Sequence, residues 1–264
     1  MRLALYLGLA LAAVPQLIPA VASADDAQVL QTTEKADSND DSDQQPWGLS
    51  TGVGFYTDYM FRGKAVYPGT SIQPSVTGFY DLGEAGTIVA NVWMHVAGET
   101  NEPPEKFTEL DSTISYDKSF DMVTLSLGHI FYTFPGGGGR IAETNEYFVG
   151  LSLDMFSNPT FTFYNDYDIG RYQYYTLTFR EPLDCNCIGD DVMITPYVTF
   201  GFATNADDQP QFYVDNGLEH IDIGVSTDLE MGQIIVTPNL NFTFEVDEGA
   251  ENQFWLGVDF SYDI

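Results

Sequence analysis

The chain ends on a stretch of thirteen residues, numbers 252–264, that reads NQFWLGVDFSYDI. A repeat of two predicts a β-strand, because successive side chains of a strand point to opposite faces. One face of this strand is apolar throughout, and polar or small residues recur on the other. The apolar face carries Phe254, Leu256, Val258, Phe260, Tyr262 and Ile264.

The same alternation runs through the rest of the chain. Twelve stretches with a period of two follow one another between Leu49 and Ile264, and no stretch there has the 3.6-residue period of an amphipathic helix. The first runs from Leu49 to Phe61, and the eighth has Tyr175, Leu177 and Phe179 on its apolar face. Each apolar face stands opposite a face with polar or charged side chains. The chain is therefore predicted to be all-β.

Alternation alone also fits a soluble β-sandwich, whose apolar faces point inward. Three features favour a membrane barrel instead. Most runs cover about nine to thirteen residues, whereas soluble strands average about five to six and membrane-spanning strands need about 9–11. Short turns such as DKSFD (117–121) alternate with longer loops such as RGKAVYPGT (62–70) and FPGGGGRIA (134–142), as in outer-membrane barrels. Aromatic pairs at the strand ends predict interface girdles: Tyr59 with Phe61, Phe131 with Tyr132, Phe200 with Phe202, and Phe242 with Phe244.

A lipid-facing sheet has to pair all of its backbone polar groups, and only closure achieves this. We therefore predict a closed antiparallel transmembrane β-barrel of 12 strands, in which the last strand pairs with the first. The tail also resembles the C-terminal signal read by the bacterial barrel-insertion machinery, with Gly257, Phe260 and Tyr262 at the matching positions and Ile264 in place of the terminal aromatic residue.

The N-terminal composition predicts export. Residues 1–24 combine Arg2, an apolar run and a small-residue exit, as in a secretory signal peptide. Residues 25–46 hold seven acids and one lysine without an aromatic residue, which predicts a disordered acidic leader. Residues 47–264 form the predicted barrel, and the bacterial outer membrane is its predicted location.

Charge and cysteine content limit the partners. A net charge of −30 argues against nucleic-acid binding, which needs a basic surface. The two cysteines, Cys185 and Cys187, are separated by one residue. An oxidising compartment favours a disulfide between them, and two free thiols are the alternative. No further ligands accompany them, so a metal site is less favoured.

A family resemblance rests on the segment Thr57-Asp58-Tyr59-Met60-Phe61-Arg62-Gly63. It resembles the start of the barrel in the TorF-type porin family of bacterial outer-membrane proteins. Similar pieces follow at Glu109 with Asp111, at Gly128 with Tyr132, and at Asn145-Glu146-Tyr147 with Gly150. The resemblance covers residues 49–155. It implies an outer-membrane location and a channel, and it implies no particular substrate.

Nine residues on the polar faces are candidates for a lumen constriction. Asp58 and Arg62 lie four residues apart in one predicted strand, which places them about 13 Å apart at ~3.3 Å per residue, too far to pair. We expect Arg62 to pair with Glu109, Glu146 or Asp259 instead. The set serves either as a charge network that supports the barrel or as a constriction that selects solutes. Its members are Asp58, Arg62, His95, Glu109, Asp111, Glu146, His220, Asp222 and Asp259.

Barrel width predicts restricted passage. Eight strands leave room only for side chains, and 16–18 leave a water-filled channel. Twelve strands lie between these cases, and Trp93, Tyr164, Tyr197 and Trp255 are predicted to narrow the lumen further. We therefore expect either small-solute passage or a plugged lumen.

These observations predict a porin-like channel for passive passage of small solutes, with a lumen that prefers cations or neutral solutes. The predicted partners are outer-membrane lipid, the insertion machinery and small solutes, without a cofactor or metal; the oligomeric state is left open.

One alternative is a barrel enzyme, a lipid hydrolase or acyltransferase. His220 shares a face with Asp222 and Ser226, and His129 faces lipid, but no Gly-x-Ser-x-Gly elbow is present. A structural or adhesive envelope barrel is the other alternative, and we predict no enzymatic activity.

Overall fold

The structure is a computed structural model that describes residues 45–67, 69–98, 107–135, 142–169, 171–185, 192–205, 216–246 and 251–264. The predicted signal peptide, most of the acidic leader and Cys187 lie outside these residues. The strands are β1 (Trp47–Tyr56), β2 (Tyr59–Phe61), β3 (Lys64–Tyr67), β4 (Ser71–Asp81), β5 (Thr87–Ala97), β6 (Phe107–Phe120), β7 (Val123–Phe134), β8 (Ala142–Leu153), β9 (Thr160–Asp166), β10 (Tyr172–Arg180), β11 (Leu183–Asp184), β12 (Met193–Asn205), β13 (Gly217–Ser226), β14 (Leu229–Met231), β15 (Ile234–Glu245) and β16 (Gln253–Asp263).

Twelve of these strands form one closed antiparallel barrel. Its order around the ring is β1, β4, β5, β6, β7, β8, β9, β10, β12, β13, β15 and β16, and β16 returns to β1. The short strands β11 and β14 extend β12 and β15. The predicted fold class and strand number are confirmed.

The C-terminal stretch closes the ring. Seven residue pairs join β1 to β16, with Val53 opposite Phe260 and Gly54 opposite Asp259. On the other side β16 pairs with β15 through ten residues. Closure leaves neither edge of the sheet unpaired, which is what an apolar surrounding demands.

The two faces of the barrel have opposite polarity. Ile114 and Phe254 point outward and are 58% and 56% exposed, whereas His95 and Glu146 point inward and are 0% and 1% exposed. An apolar exterior around a polar interior is the arrangement of a barrel in a membrane. Among the described residues, no helix has the length and apolarity to span a membrane.

The connections divide the barrel into two rims. Short turns, such as residues 121–122 between β6 and β7, share one rim with both ends of the barrel sequence. Strand ends that border longer connections, such as Asn205 of β12 and Gly217 of β13, lie at the other rim. By the convention of outer-membrane barrels, the first is the periplasmic rim and the second is the outer rim.

The first predicted strand was wrong in its length. We expected one run from Leu49 to Phe61, but β1 ends at Tyr56, and the chain then enters the barrel as the hairpin β2–β3. Arg62 and Gly63 form the hairpin tip with φ of +48° and +85°, the backbone that a two-residue hairpin turn requires and that Gly63 supplies without strain. We call residues 59–67 the inner hairpin.

The inner hairpin corrects two further expectations. The stretch RGKAVYPGT (62–70) was expected to be a long outer loop, but its residues Lys64–Tyr67 form β3. Tyr59 and Tyr132 were expected in the interface girdle, but they are 2% and 3% exposed in the barrel interior. Phe61 also lies inside, where its ring contacts that of Tyr132.

Inward-facing rings lie on glycines of the neighbouring strand. Phe148 is the direct cross-strand partner of Gly128, and a Cβ at Gly128 would overlap its ring. Glycine at these positions lets a ring lie flat against the wall of a narrow barrel. The other cross-strand pairs of this kind are Gly48 with Phe79, Gly201 with His220, Gly224 with Tyr197, and Gly257 with Tyr56.

We predict that Gly128→Ala lowers the free energy of unfolding by about 1–3 kcal/mol, because the added methyl group has to displace the buried Phe148 ring. Gly78→Ala is the matched control, since the nearest atoms lie 3.9 Å from the position that its added methyl group would take, and it should change stability by less than about 0.5 kcal/mol. Urea unfolding in lipid vesicles, followed by tryptophan fluorescence, measures both; equal values would contradict the packing argument.

Candidate functional site in the barrel interior

The inner hairpin crosses the lumen from one wall to the other. At its base Tyr59 donates a hydrogen bond to Glu109 Oε2 of β6 at 2.9 Å and stacks on His95 of β5 at 4.5 Å between ring centroids. Trp93 lies beside the same tyrosine ring at 5.5 Å. These contacts fix the base of the hairpin against β5 and β6.

The tip of the hairpin carries a fully buried arginine. Arg62 Nη1 and Nη2 donate to Glu146 Oε2 and Oε1 at 2.9 and 2.6 Å, a bidentate ion pair whose members are 0% and 1% exposed. Nη1 also donates to Tyr172 Oη at 2.9 Å, and Tyr132 Oη donates to Glu146 Oε1 at 3.1 Å. Such planar, charge-assisted pairs are among the stronger polar contacts in proteins.

Aromatic rings surround the Arg62 guanidinium. Its central carbon lies 4.5 Å from the ring centroid of Tyr164 and 4.6 Å from that of Tyr174, with Phe61 at 4.8 Å and Tyr172 at 5.6 Å. Cations within about 6 Å of a ring face are attracted by the ring quadrupole. We call Glu146, Tyr132, Tyr164, Tyr172 and Tyr174 the cation cage.

His220 of β13 lies on the other side of the hairpin tip. Its ring is wedged between Gly63 and Gly201, because a Cβ on either glycine would overlap it. His220 Nε2 is 2.7 Å from Tyr174 Oη, and Nδ1 is 3.1 Å from Asp222 Oδ2. Both ring nitrogens are therefore engaged by neighbouring side chains.

A chain of hydrogen bonds connects inward side chains around the wall. Tyr197 Oη donates to Asn241 Oδ1 at 2.7 Å, and Asn241 Nδ2 donates to Asn239 Oδ1 at 2.8 Å. Asn239 Nδ2 then donates to Asp259 Oδ2 at 3.1 Å, and Tyr56 Oη donates to Asp259 Oδ1 at 2.5 Å. These contacts tie β12, β15, β16 and β1 together on the luminal side.

Wall residues between the hairpin and the periplasmic rim include buried hydroxyl side chains, among them Ser126, Thr162, Thr176 and Thr199. Charged side chains are present there too: Asp117 is buried opposite Ser126, and the Arg180 guanidinium carbon lies 5.9 Å from the ring centroid of Tyr197.

Seven of the nine predicted lumen residues are buried in the barrel interior, and the other two are half-buried. Arg62 pairs with Glu146, one of the three partners expected for it. Asp58 precedes the inner hairpin rather than sharing a strand with Arg62, so the 13 Å estimate does not apply. The buried seven are Arg62, His95, Glu109, Asp111, Glu146, His220 and Asp222, and the half-buried two are Asp58 and Asp259.

The sequence reasoning missed most of the cation cage. Tyr164 was expected inside, but Tyr172 and Tyr174 were not singled out. Their direction follows from strand parity, since Tyr175 was placed on the outward face and its neighbours at odd spacing face inward. The inward course of the hairpin had no comparable signal beyond the Arg62-Gly63 turn.

Negative charge dominates the buried ionisable groups. Among the described residues, seven carboxyl side chains and one guanidinium are buried: Glu109, Asp111, Asp117, Glu146, Asp166, Glu219 and Asp222 against Arg62. No group of three or more His, Cys, Asp or Glu in the described part of the chain is arranged to hold a metal ion. Cys185 forms a disulfide, and the chain's other cysteine, Cys187, lies outside the described residues.

Comparison with known proteins identifies the kind of barrel. A fold similar to this one occurs in an outer-membrane channel from Pseudomonas putida F1, at 8% sequence identity and a TM-score of 0.51, covering 87% of this chain and 100% of that one. The chain therefore has the fold of an outer-membrane β-barrel. The predicted location in the bacterial outer membrane agrees with that fold.

Two further matches were found. LpxR from Salmonella typhimurium aligns with this barrel at 11% identity and a TM-score of 0.49, covering 81% of this chain and 99% of that one. The family described as "Bacterial protein of unknown function (Gcw_chp)" matches residues 40–167, just under half of the chain. No curated protein matches the sequence significantly.

We predict that Arg62→Ala destabilises the barrel by about 3–5 kcal/mol, because it leaves the Glu146 carboxylate buried and uncompensated. Replacing both partners with apolar residues, as in Arg62→Met with Glu146→Leu, should recover much of this loss. Lys118→Ala removes a charge near the periplasmic rim and should cost less than about 1 kcal/mol. Urea unfolding measures all three variants, and a similar cost for Arg62→Ala and Lys118→Ala would contradict a buried ion pair.

Proposed function

We propose that this barrel is an outer-membrane channel for small solutes and that the inner hairpin is its gate. The observation that carries the proposal is that the backbone pairing of the wall does not involve the hairpin. Ten residue pairs join β1 directly to β4, from Trp47 with Tyr80 to Tyr56 with Ser71. The hairpin is inserted between these two strands and contributes no pairing to the barrel. The hairpin can therefore leave the lumen without breaking any backbone pairing of the sheet.

The hairpin is held by ring contacts of Tyr59 and Phe61 with the wall and by a small number of polar contacts. The Arg62–Glu146 pair holds the tip, the Tyr59–Glu109 hydrogen bond holds the base, and Lys64 Nζ lies 3.8 Å from Glu245 Oε2. A gate needs contacts that can be exchanged for solvent or solute, and ionic contacts meet this need better than an apolar core does.

The charge of the interior supports selectivity for cations. When the hairpin leaves, Arg62 leaves with it, and the buried carboxyl groups of the wall stay behind. Rings of acidic side chains favour cations in narrow pores. We therefore propose passage of small cationic or neutral solutes, with discrimination against anions.

The comparisons support the proposal in a limited way. The Pseudomonas putida F1 protein of similar fold is described as an outer-membrane channel. The resemblance of Thr57–Gly63 to the TorF-type porins points to the same class. At 8% identity the first of these likenesses concerns the fold, so the proposal rests on the hairpin and the luminal charge.

We favour a channel over an enzyme because of His220. A hydrolase requires a base that reaches a nucleophile, but the two ring nitrogens of His220 contact Asp222 and Tyr174. Ser226, the nucleophile considered from the sequence, pairs with Asn239 nearer the periplasmic rim. His129 on the outer face contacts Tyr167 Oη at 2.9 Å, which suits an interfacial histidine.

Replacing the inner hairpin with a short linker should open the channel. Tyr59 and Tyr67 are cross-strand partners, so three residues such as Gly-Ser-Gly can bridge the gap left by residues 59–67. We expect a several-fold larger single-channel conductance than for the intact chain in planar bilayers, with reversal potentials that shift toward cation permeation.

The control for this experiment is Lys118→Gln, which removes one charge near the periplasmic rim and retains the hairpin with all of its contacts. It should conduct like the intact chain. A linker variant that folds but conducts no better than the intact chain would overturn the gate, and anion selectivity would overturn the role of the carboxyl groups.

A further inference from the structure

We propose that the cation cage is a binding site for a guanidinium group of a solute, and that Arg62 is its built-in occupant. The inference rests on the proposed function in one respect, since a solute reaches the cage only after the inner hairpin has moved. It adds the chemical class of the ligand and the residues that recognise it.

The cage belongs entirely to the barrel wall. Tyr132 lies on β7, Glu146 on β8, Tyr164 on β9, and Tyr172 and Tyr174 on β10. These four strands are consecutive neighbours in the ring. The occupant, Arg62, lies on the hairpin. Movement of the hairpin therefore removes the guest and leaves the host in place.

The geometry of the cage selects a planar cation with several N–H donors. Glu146 accepts two hydrogen bonds from two different nitrogens of Arg62, and the Tyr172 hydroxyl accepts another. The Tyr164 and Tyr174 rings lie within 4.6 Å of the guanidinium carbon. A guanidinium satisfies the bidentate carboxylate and the ring faces together, whereas an ammonium acts as a point charge and a metal ion offers no donors.

Burial makes an empty cage unfavourable. The Glu146 side chain is 1% exposed, and a buried carboxylate without a cation is costly. Once Arg62 has left, the cage therefore favours any guanidinium that reaches it. A solute that binds the cage competes with Arg62, so it shifts the hairpin toward its displaced position.

Chemical rescue tests the cage directly. Arg62→Ala removes the side chain beyond Cβ, and ethylguanidinium has the size and charge of the part removed. We expect millimolar ethylguanidinium to raise the Tm of the full-length Arg62→Ala variant in detergent. The expected shift is about 3–5 °C at a concentration tenfold above the dissociation constant.

Four controls define specificity. Ethylammonium at equal concentration should give at most a small fraction of the Tm shift, because it lacks the planar set of N–H donors of a guanidinium. Ethylguanidinium should leave the intact chain unshifted, since Arg62 occupies the cage, and should leave Lys118→Ala unshifted, since that variant lacks a charge elsewhere. Arg62→Ala combined with Glu146→Gln should lose the shift, because the carboxylate that binds the guanidinium is gone.

The outcomes separate this proposal from the channel itself. If Arg62→Ala folds and ethylguanidinium gives no greater shift than ethylammonium, the cage is not a guanidinium site, whatever the conductance of the linker variant. If Arg62→Ala fails to fold, the yield of the heat-modifiable folded form is measured with each cation present during refolding. Rescue by ethylguanidinium alone supports the site, and equal yields overturn it. If the linker variant folds but conducts no better than the intact chain while rescue succeeds, the gate is refuted and the guanidinium site is supported.

Discussion

The need to pair every backbone amide within an apolar surrounding governs this structure. The requirement forces the sheet to close, places the apolar side chains outside and leaves the polar ones inside. Closure by β16 on β1 completes the wall without help from any other segment. The inner hairpin is therefore not needed for the backbone pairing of the wall, and it can serve a function that the wall cannot.

A narrow barrel has to accommodate the side chains that its strands point inward. Glycines beneath inward rings, such as Gly128 under Phe148 and Gly224 under Tyr197, keep the rings close to the wall. The space gained at the centre is occupied by the hairpin. Its arginine is neutralised by Glu146 and surrounded by tyrosine rings, so a buried cation stabilises an interior that is rich in carboxyl groups.

The repeat of two predicts the barrel, its strand number and the inward direction of Glu109, Glu146 and His220, because side-chain direction on a strand depends only on parity. It fails at Tyr59–Phe61, where alternation continues although the strand has ended. An inner hairpin obeys the same repeat as a wall strand, so periodicity cannot distinguish them. The choice of Glu146 over Glu109 or Asp259 as the partner of Arg62 depends on the reach of the hairpin across the lumen, which is a tertiary property.

The position of the hairpin in the chain has a consequence for assembly. Arg62 emerges early in the sequence, yet its seat is built from β7, β8, β9, β10 and β13, which follow it. The arginine cannot dock until those later segments have joined the ring. Docking of the tip is thus a late event in maturation. A docked hairpin tip distinguishes a completely assembled barrel from an incomplete one.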